Sequence, residues 1–157
     1  LLGIVINNRP RFGACFNYVT KEKILIDSQD KNALVRIKNV RNYQADLAVY
    51  VDQRSGTELE QDLLKTPGIT KITQATVGLK SLYTILNQHQ SAITLHQVQT
   101  AGLWDVMPAA VAAHAFGGEI FDATGQELKL NEYIILPGKG CLILKGDKFG
   151  WMKEKLG

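Results

Sequence analysis

The sequence predicts a layered α/β domain with a mainly buried sheet. Three observations carry that expectation. The first third of the chain is built of short apolar and β-branched runs. From about residue 53 onward, strand-like runs alternate with stretches of helical spacing. Trp104 to Phe116 is a helix rich in alanine, closed by Gly117-Gly118, where glycine accepts the left-handed conformation that ends helices.

Leu1 to Asn7 and Phe12 to Thr20 are apolar runs on either side of Asn8-Arg9-Pro10-Arg11, which reads as the turn of a hairpin because proline fixes φ. Ile24 to Ile26 and Leu34 to Ile37 are further short strands. Ala45 to Val51 is nearly all apolar, the pattern of a strand buried on both faces. Leu59, Leu63 and Leu64 then fall on one helical face, with Ser55 or Thr57 as cap and Pro67-Gly68 as stop. Ile69 to Thr73 is a strand. Val77 to Gln88 is a helix, with Leu79, Leu82, Tyr83, Ile85 and Leu86 at helical spacing. Ala92 to Leu95 is a strand, and the alanine helix follows. Glu119 to Asp122, Leu128 to Leu130, Tyr133 to Pro137 and Cys141 to Lys145 read as strands, and Phe149 to Leu156 as a terminal helix. The change of pattern puts a boundary near Asp52, giving a β-rich segment 1–52 and an α/β segment 53–157.

Composition narrows the function. At 157 residues and 45% hydrophobic, the chain has material for one sizeable core. A net charge of +3 is too small to argue for a nucleic acid polymer or a membrane surface. No apolar run reaches the roughly 20 residues of a membrane-spanning helix, and no leader-like segment is seen, so a cytoplasmic protein is expected. Cys15 and Cys141 fit reduced thiols. There is no phosphate-binding glycine loop. Gly138-Lys139-Gly140 is most simply a turn, and His89, His96 and His114 show no ligand spacing.

The informative segment is Trp104 to Gly125. Asp105 stands at the start of a helix, with Pro108 expected in its first turn. The positive end of the helix dipole keeps such a carboxylate ionised. An ionised carboxylate beside backbone N–H groups suits a hard cation together with a phosphate. The plainer role for Asp105 is helix capping.

Trp104-Asp105, the small-residue helix, Gly117-Gly118, a strand and Asp122-Ala123-Thr124-Gly125 together resemble the C-terminal signature of the inositol monophosphatase superfamily of metal-dependent phosphatases, which includes the 3′(2′),5′-bisphosphate nucleotidases. Val77-Gly78 before an amphipathic helix is similar to the segment that precedes that signature. Leu2-Gly3-Ile4-Val5, with Pro10 and Phe12-Gly13, resembles the family's central hairpin.

The resemblance implies a C-terminal sheet-and-helix domain of the sugar-phosphatase type, preceded by a β-rich hairpin segment from an N-terminal α+β domain that this chain lacks. It implies a Mg²⁺-dependent phosphomonoesterase acting on a small phosphate ester, inositol monophosphate or adenosine 3′,5′-bisphosphate. Asp105 matches the metal-ligand aspartate and Gly78 the glycine whose backbone approaches substrate. Lys80, Arg54 and Lys139 are candidate anion contacts. The family's Asp-Pro-x-Asp-Gly-Thr metal motif does not occur in these residues and is expected N-terminal to Leu1, so this chain alone is expected to be inactive. Met107 and Pro108 replace small residues, Leu79 a hydroxyl residue, and His96-Gln97 lie where inositol-type enzymes present a glutamate. These departures support a rival reading, a non-catalytic relative serving binding or structure. A homodimer is the expected assembly.

Overall fold

A computed structural model describes residues 1–18, 21–30, 46–52, 58–74, 76–87, 89–96, 102–122, 125–130 and 141–146. Strand β1 (Leu2–Ile6) turns into β2 (Arg9–Phe16) through two asparagines. Asn7 and Asn8 have φ of 51° and 60°. A type I′ hairpin turn needs positive φ at both central residues, and asparagine tolerates that better than most side chains. The turn therefore falls on Asn7-Asn8, not across Asn8 to Arg11, and Pro10 lies inside β2. The pairing explains how. Ile4 faces Phe12 while Val5 faces Pro10, so Arg11 is an extra residue in the ladder. Proline is accepted in a strand at such a bulge, where pairing is already broken. The displaced Arg11 guanidinium meets the Asp27 carboxylate at the end of β3 (Lys23–Asp27).

These three strands form an antiparallel sheet in the order β1-β2-β3. One face is covered: Gly13, Cys15, Ile24 and Ile26 are buried. The other face shows Leu2, Ile4, Ile6, Phe16 and Leu25, each between 39% and 53% exposed.

The remaining elements are β4 (Leu47–Asp52), α1 (Glu58–Leu64), β5 (Ile69–Gln74), α2 (Val77–Leu86), β6 (Ser91–His96), α3 (Leu103–Phe116), β7 (Glu119–Asp122) and β8 (Cys141–Lys145). Their strands form a second sheet in the order β5-β4-β6-β8-β7. β4 runs parallel to β5 and β6, and β8 antiparallel to β6 and β7. Ala48, Val49, Tyr50 and Val51 are all buried, as the continuous apolar run required. This strand sits between β5 and β6, so the β-rich segment 1–52 contributes to both sheets. The expected strand at Leu128 to Leu130 does not form. Glu127 makes a single bridge to Phe121, and Leu128 is buried with its N–H bonded to the Ile120 carbonyl at 2.9 Å. The expected strands at Leu34 to Ile37 and Tyr133 to Pro137, the helix at Phe149 to Leu156 and the cap at Ser55 or Thr57 lie outside the described residues.

Helix α3 packs on all three strands of the first sheet and also on α2 and β7. Every residue from Val106 to Ala113 is buried. The helix begins at Leu103, so Pro108 is the sixth helical residue and not in the first turn. It offers no N–H to the Trp104 carbonyl four residues earlier. Strand β2 crosses at this point. A Cβ on Gly13 would stand 3.2 Å from Pro108 Cα and 3.2 Å from Val111 Cβ. Glycine is thus fixed by close approach of strand to helix. Gly117 then ends α3 with φ 85° and its N–H on the Ala113 carbonyl at 2.9 Å.

Gly13→Val is expected to lower stability by about 1–3 kcal/mol, the usual cost of overpacking, because helix backbone cannot swing aside as a side chain can. Gly13→Ala should cost less. Urea denaturation of both variants beside the wild type checks the ranking.

Candidate functional site

Two helix N-termini meet at one end of the molecule. Helix α2 is capped by Thr76, which is extended at φ −136°, ψ 145°, and whose side chain accepts the Leu79 N–H at 3.4 Å. Helix α3 is capped by Gly102, also extended. Asp105 is the third residue of α3 and reaches backward. Its Oδ2 accepts the Gly102 N–H at 3.0 Å, while its own N–H donates to the Gly102 carbonyl at 3.0 Å. Asp105 is therefore not the cap residue; its carboxylate satisfies the backbone donor of the cap. The two helices touch where Gly78 has no side chain: a Cβ there would lie 3.3 Å from the Asp105 carbonyl oxygen.

A cleft of about 430 Å³ opens at this junction. Thr76, Gly78 and Asp105 form one wall, and Cys15, Phe16 and Tyr18 from the end of β2 form the other. The fold thus brings Asp105 and Gly78, which lie apart in sequence, into one cavity. Lys80 goes elsewhere. It is 4% exposed, does not line the cleft, and donates from Nζ to the Leu95 carbonyl at 3.3 Å. Arg54 and Lys139 lie outside the described residues. His114 is exposed on the last turn of α3 and borders a larger crevice of about 550 Å³ at the opposite end of that helix.

Two features of the cleft were not found in the sequence. Thr76 was legible as the hydroxyl residue just before the α2 pattern, the usual cap signal. The Phe16–Tyr18 pair, an edge-on contact with centroids 4.7 Å apart, had no local signal, because only the path of β2 brings it to the helices.

Charge at the site is set by burial. Burial pushes the Cys141 thiol well above its ordinary value, with the Lys80 ammonium opposing and the Asp105 carboxylate reinforcing. Both charges therefore act on the first residue of β8. Cys15 is also raised, mainly by burial, with the chain's amino terminus opposing and Glu22 reinforcing. Neither thiol is set up as a nucleophile.

The donors can be weighed against Mg²⁺. Asp105 is the one carboxylate lining the cleft among the described residues, and one of its oxygens is held by Gly102. No group of three or more His, Cys, Asp or Glu side chains comes together among those residues. Mg²⁺ demands octahedral oxygen coordination. The described residues alone do not make up the Mg²⁺ site that the resemblance implies.

No family model and no curated protein matches the chain. Solved structures do. An inositol monophosphatase family protein from Staphylococcus aureus superposes with a TM-score of 0.66 at 13% identity, covering 97% of this chain and 57% of its own. An inositol monophosphatase/NADP phosphatase solved with Mg²⁺ and phosphate gives 0.65 at 12%, covering 98% of this chain and 56% of its own. The Thermotoga maritima inositol monophosphatase gives 0.61 at 14%, covering 97% and 57%. The chain has the inositol monophosphatase-like fold, and spans under three fifths of the length of these structures. Among the described residues no helix is long and apolar enough to cross a membrane.

Native protein treated with iodoacetamide near neutral pH should label slowly at both cysteines, since each thiol is buried and raised. Denatured protein should label at both. Mass spectrometry of the two samples reads the difference.

Proposed function

We propose that this chain supplies one wall of the active site of a Mg²⁺-dependent phosphomonoesterase that hydrolyses a small phosphate ester. The observation that carries the reading is the meeting of Asp105 and Gly78 at two helix N-termini, within an inositol monophosphatase-like fold. Helix N-termini favour anions, and a carboxylate among them favours a cation shared with phosphate. Asp105 is the metal-holding group in this reading, and the Gly78 backbone approaches the ester. Lys80 acts through its buried charge rather than by contact. The other carboxylates come from polypeptide N-terminal to this chain. A metal held there would activate water and neutralise the phosphate.

Inositol monophosphate and adenosine 3′,5′-bisphosphate are the two substrates considered. One neighbour was solved with inositol monophosphate, and another is named for NADP phosphatase activity. The setting is cytoplasmic and the assembly a homodimer in this reading. A second reading, a non-catalytic relative, is favoured by Asp105 being the one cleft carboxylate among the described residues and by Leu79, Met107 and Pro108.

The chain alone should bind Mg²⁺ no tighter than about millimolar, because one carboxylate leaves most of the octahedron to water. Titration calorimetry tests this, and tight stoichiometric binding would show that further ligands are present. In a longer protein carrying the remaining ligands, Asp105→Asn should reduce phosphate release in excess Mg²⁺ by orders of magnitude. Stability should change by less than about 1 kcal/mol, since the amide oxygen can still accept the Gly102 N–H. Retained activity overturns the assignment of Asp105. Absence of activity in the wild type on both substrates favours the non-catalytic reading.

A further inference from the structure

The wall of the cleft that faces the two helices is aromatic, and the function proposed above gives it no task. Phe16 ends β2, and Tyr18 follows two residues later. Their rings meet edge-on, with centroids 4.7 Å apart and planes at 74°. Both are open to solvent, Phe16 at 39% and Tyr18 at 76%. A single exposed apolar residue is ordinary, but here two rings stand together in the mouth of a cavity. The pair is also held against the opposite wall. Across the bend that follows β2, the Asn17 N–H donates to the Glu22 carbonyl at 3.0 Å. Glu22 is 5% exposed, and its carboxylate accepts the Tyr83 hydroxyl of α2 at 3.1 Å. Helix α2 also carries Gly78 and follows Thr76, so this buried hydrogen bond ties the aromatic wall to the helix that forms the other. A wall fixed in advance loses little freedom when a ligand arrives.

The lining decides which ligand suits this cavity. At about 430 Å³ it falls within the ~300–1,000 Å³ of small-molecule sites. Val77 and Leu79 line it together with the two rings. Thr76 and Asp105 each already spend an oxygen on their own helix, on the N–H groups of Leu79 and Gly102. A polyol here would turn hydroxyls toward rings and methyl groups, and a hydroxyl that leaves water without gaining a partner costs affinity. A planar ring instead buries its faces against the aromatics, a contact that needs no hydrogen bond. A phosphate on the same ligand lies across the cleft, at the helix N-termini.

We propose that Phe16 and Tyr18 determine the specificity of the cleft, selecting a phosphate ester whose other half is a planar aromatic ring, of the nucleotide kind, over a polyol phosphate. This specificity rests on the cleft being a phosphate-ester site, as proposed above, and narrows its substrate class. Tyr18 is the more open ring and the one on which the base stacks. Phe16 braces it from the side.

The test is NMR of the Phe16 and Tyr18 ring resonances in the whole chain, titrated with adenosine 5′-monophosphate, inositol monophosphate and adenosine. The first two carry one phosphate each, so the helix N-termini treat them alike. The nucleotide should shift both rings and bind more tightly than inositol monophosphate. Tyr18→Ala should weaken nucleotide binding by about fivefold or more, the low end of what a base loses with its aromatic partner. It should leave inositol monophosphate unaffected, and Tyr18→Phe should retain the nucleotide. Tyr18 is exposed, so neither exchange threatens the fold. Equal binding of the two phosphates, a nucleotide affinity indifferent to Tyr18→Ala, or rings that do not respond to the nucleotide at about 10 mM each overturn the proposal. The phosphate-site reading fails separately. Adenosine binding as tightly as its monophosphate would remove the phosphate from the cleft and leave the aromatic preference standing. Inositol monophosphate binding as tightly as the nucleotide, with both rings silent, would do the reverse.

Discussion

The approach of the three-stranded sheet to α2 is set by the girth of α3, which lies against both. Long side chains on α3 would hold them apart; Ala109, Ala110, Ala112 and Ala113 let them close in. Strand meets helix backbone where Gly13 of β2 crosses Pro108, whose Cα would stand 3.2 Å from a Cβ on the glycine. Gly3 of β1 instead leaves room for the Met107 side chain. Once the helix is seated, its N-terminus can only emerge beside that of α2, at the level of Gly78. The cleft is a by-product of this packing.

That origin explains what kind of site it is. Backbone is held rigidly, and polar side chains are few. Asp105 spends one oxygen on its own helix. Lys80, two residues beyond Gly78, faces inward, and its charge reaches the region through protein rather than through solvent, where it counts for more. The wall thus offers backbone groups and few polar side chains. In the function proposed above, the remaining metal ligands come from outside this chain.

Much of the fold was legible because its main elements advertise burial in simple ways. The continuous apolar run of β4 and the alanine run of α3, with its glycine stop, each permit one reading. Asp105 was singled out because Trp104-Asp105 opens the run that resembles the inositol monophosphatase signature; the structure adds its place in the cleft beside Gly78. Other features depend on competition between neighbours. Pro10 looked like the turn residue, yet two asparagines were better suited to left-handed geometry, and the bulge at Arg11 accommodated the proline. Leu128 is apolar because it plugs the space beside Ile120, not because it pairs. Lys80 was read as a candidate anion contact, a role that needs an ammonium open to the cleft. Its place on the sheet-facing side of α2 instead buries it against the Leu95 carbonyl. The grouping of Phe16 and Tyr18 with Asp105 comes from chain crossing alone, which no local pattern encodes.

The outer face of the three-stranded sheet has a practical consequence for anyone handling this polypeptide in isolation. Leu2, Ile4 and Ile6 of β1, with Leu25 of β3, form an apolar strip across this sheet, and among the described residues no further strand pairs with β1. A net charge of +3 is the chief force keeping copies apart, and it acts only over the screening length. Sulfate or phosphate both shortens that length and strengthens apolar burial. Salts of these anions, commonly added to steady a protein, therefore also favour contact between such strips on neighbouring copies.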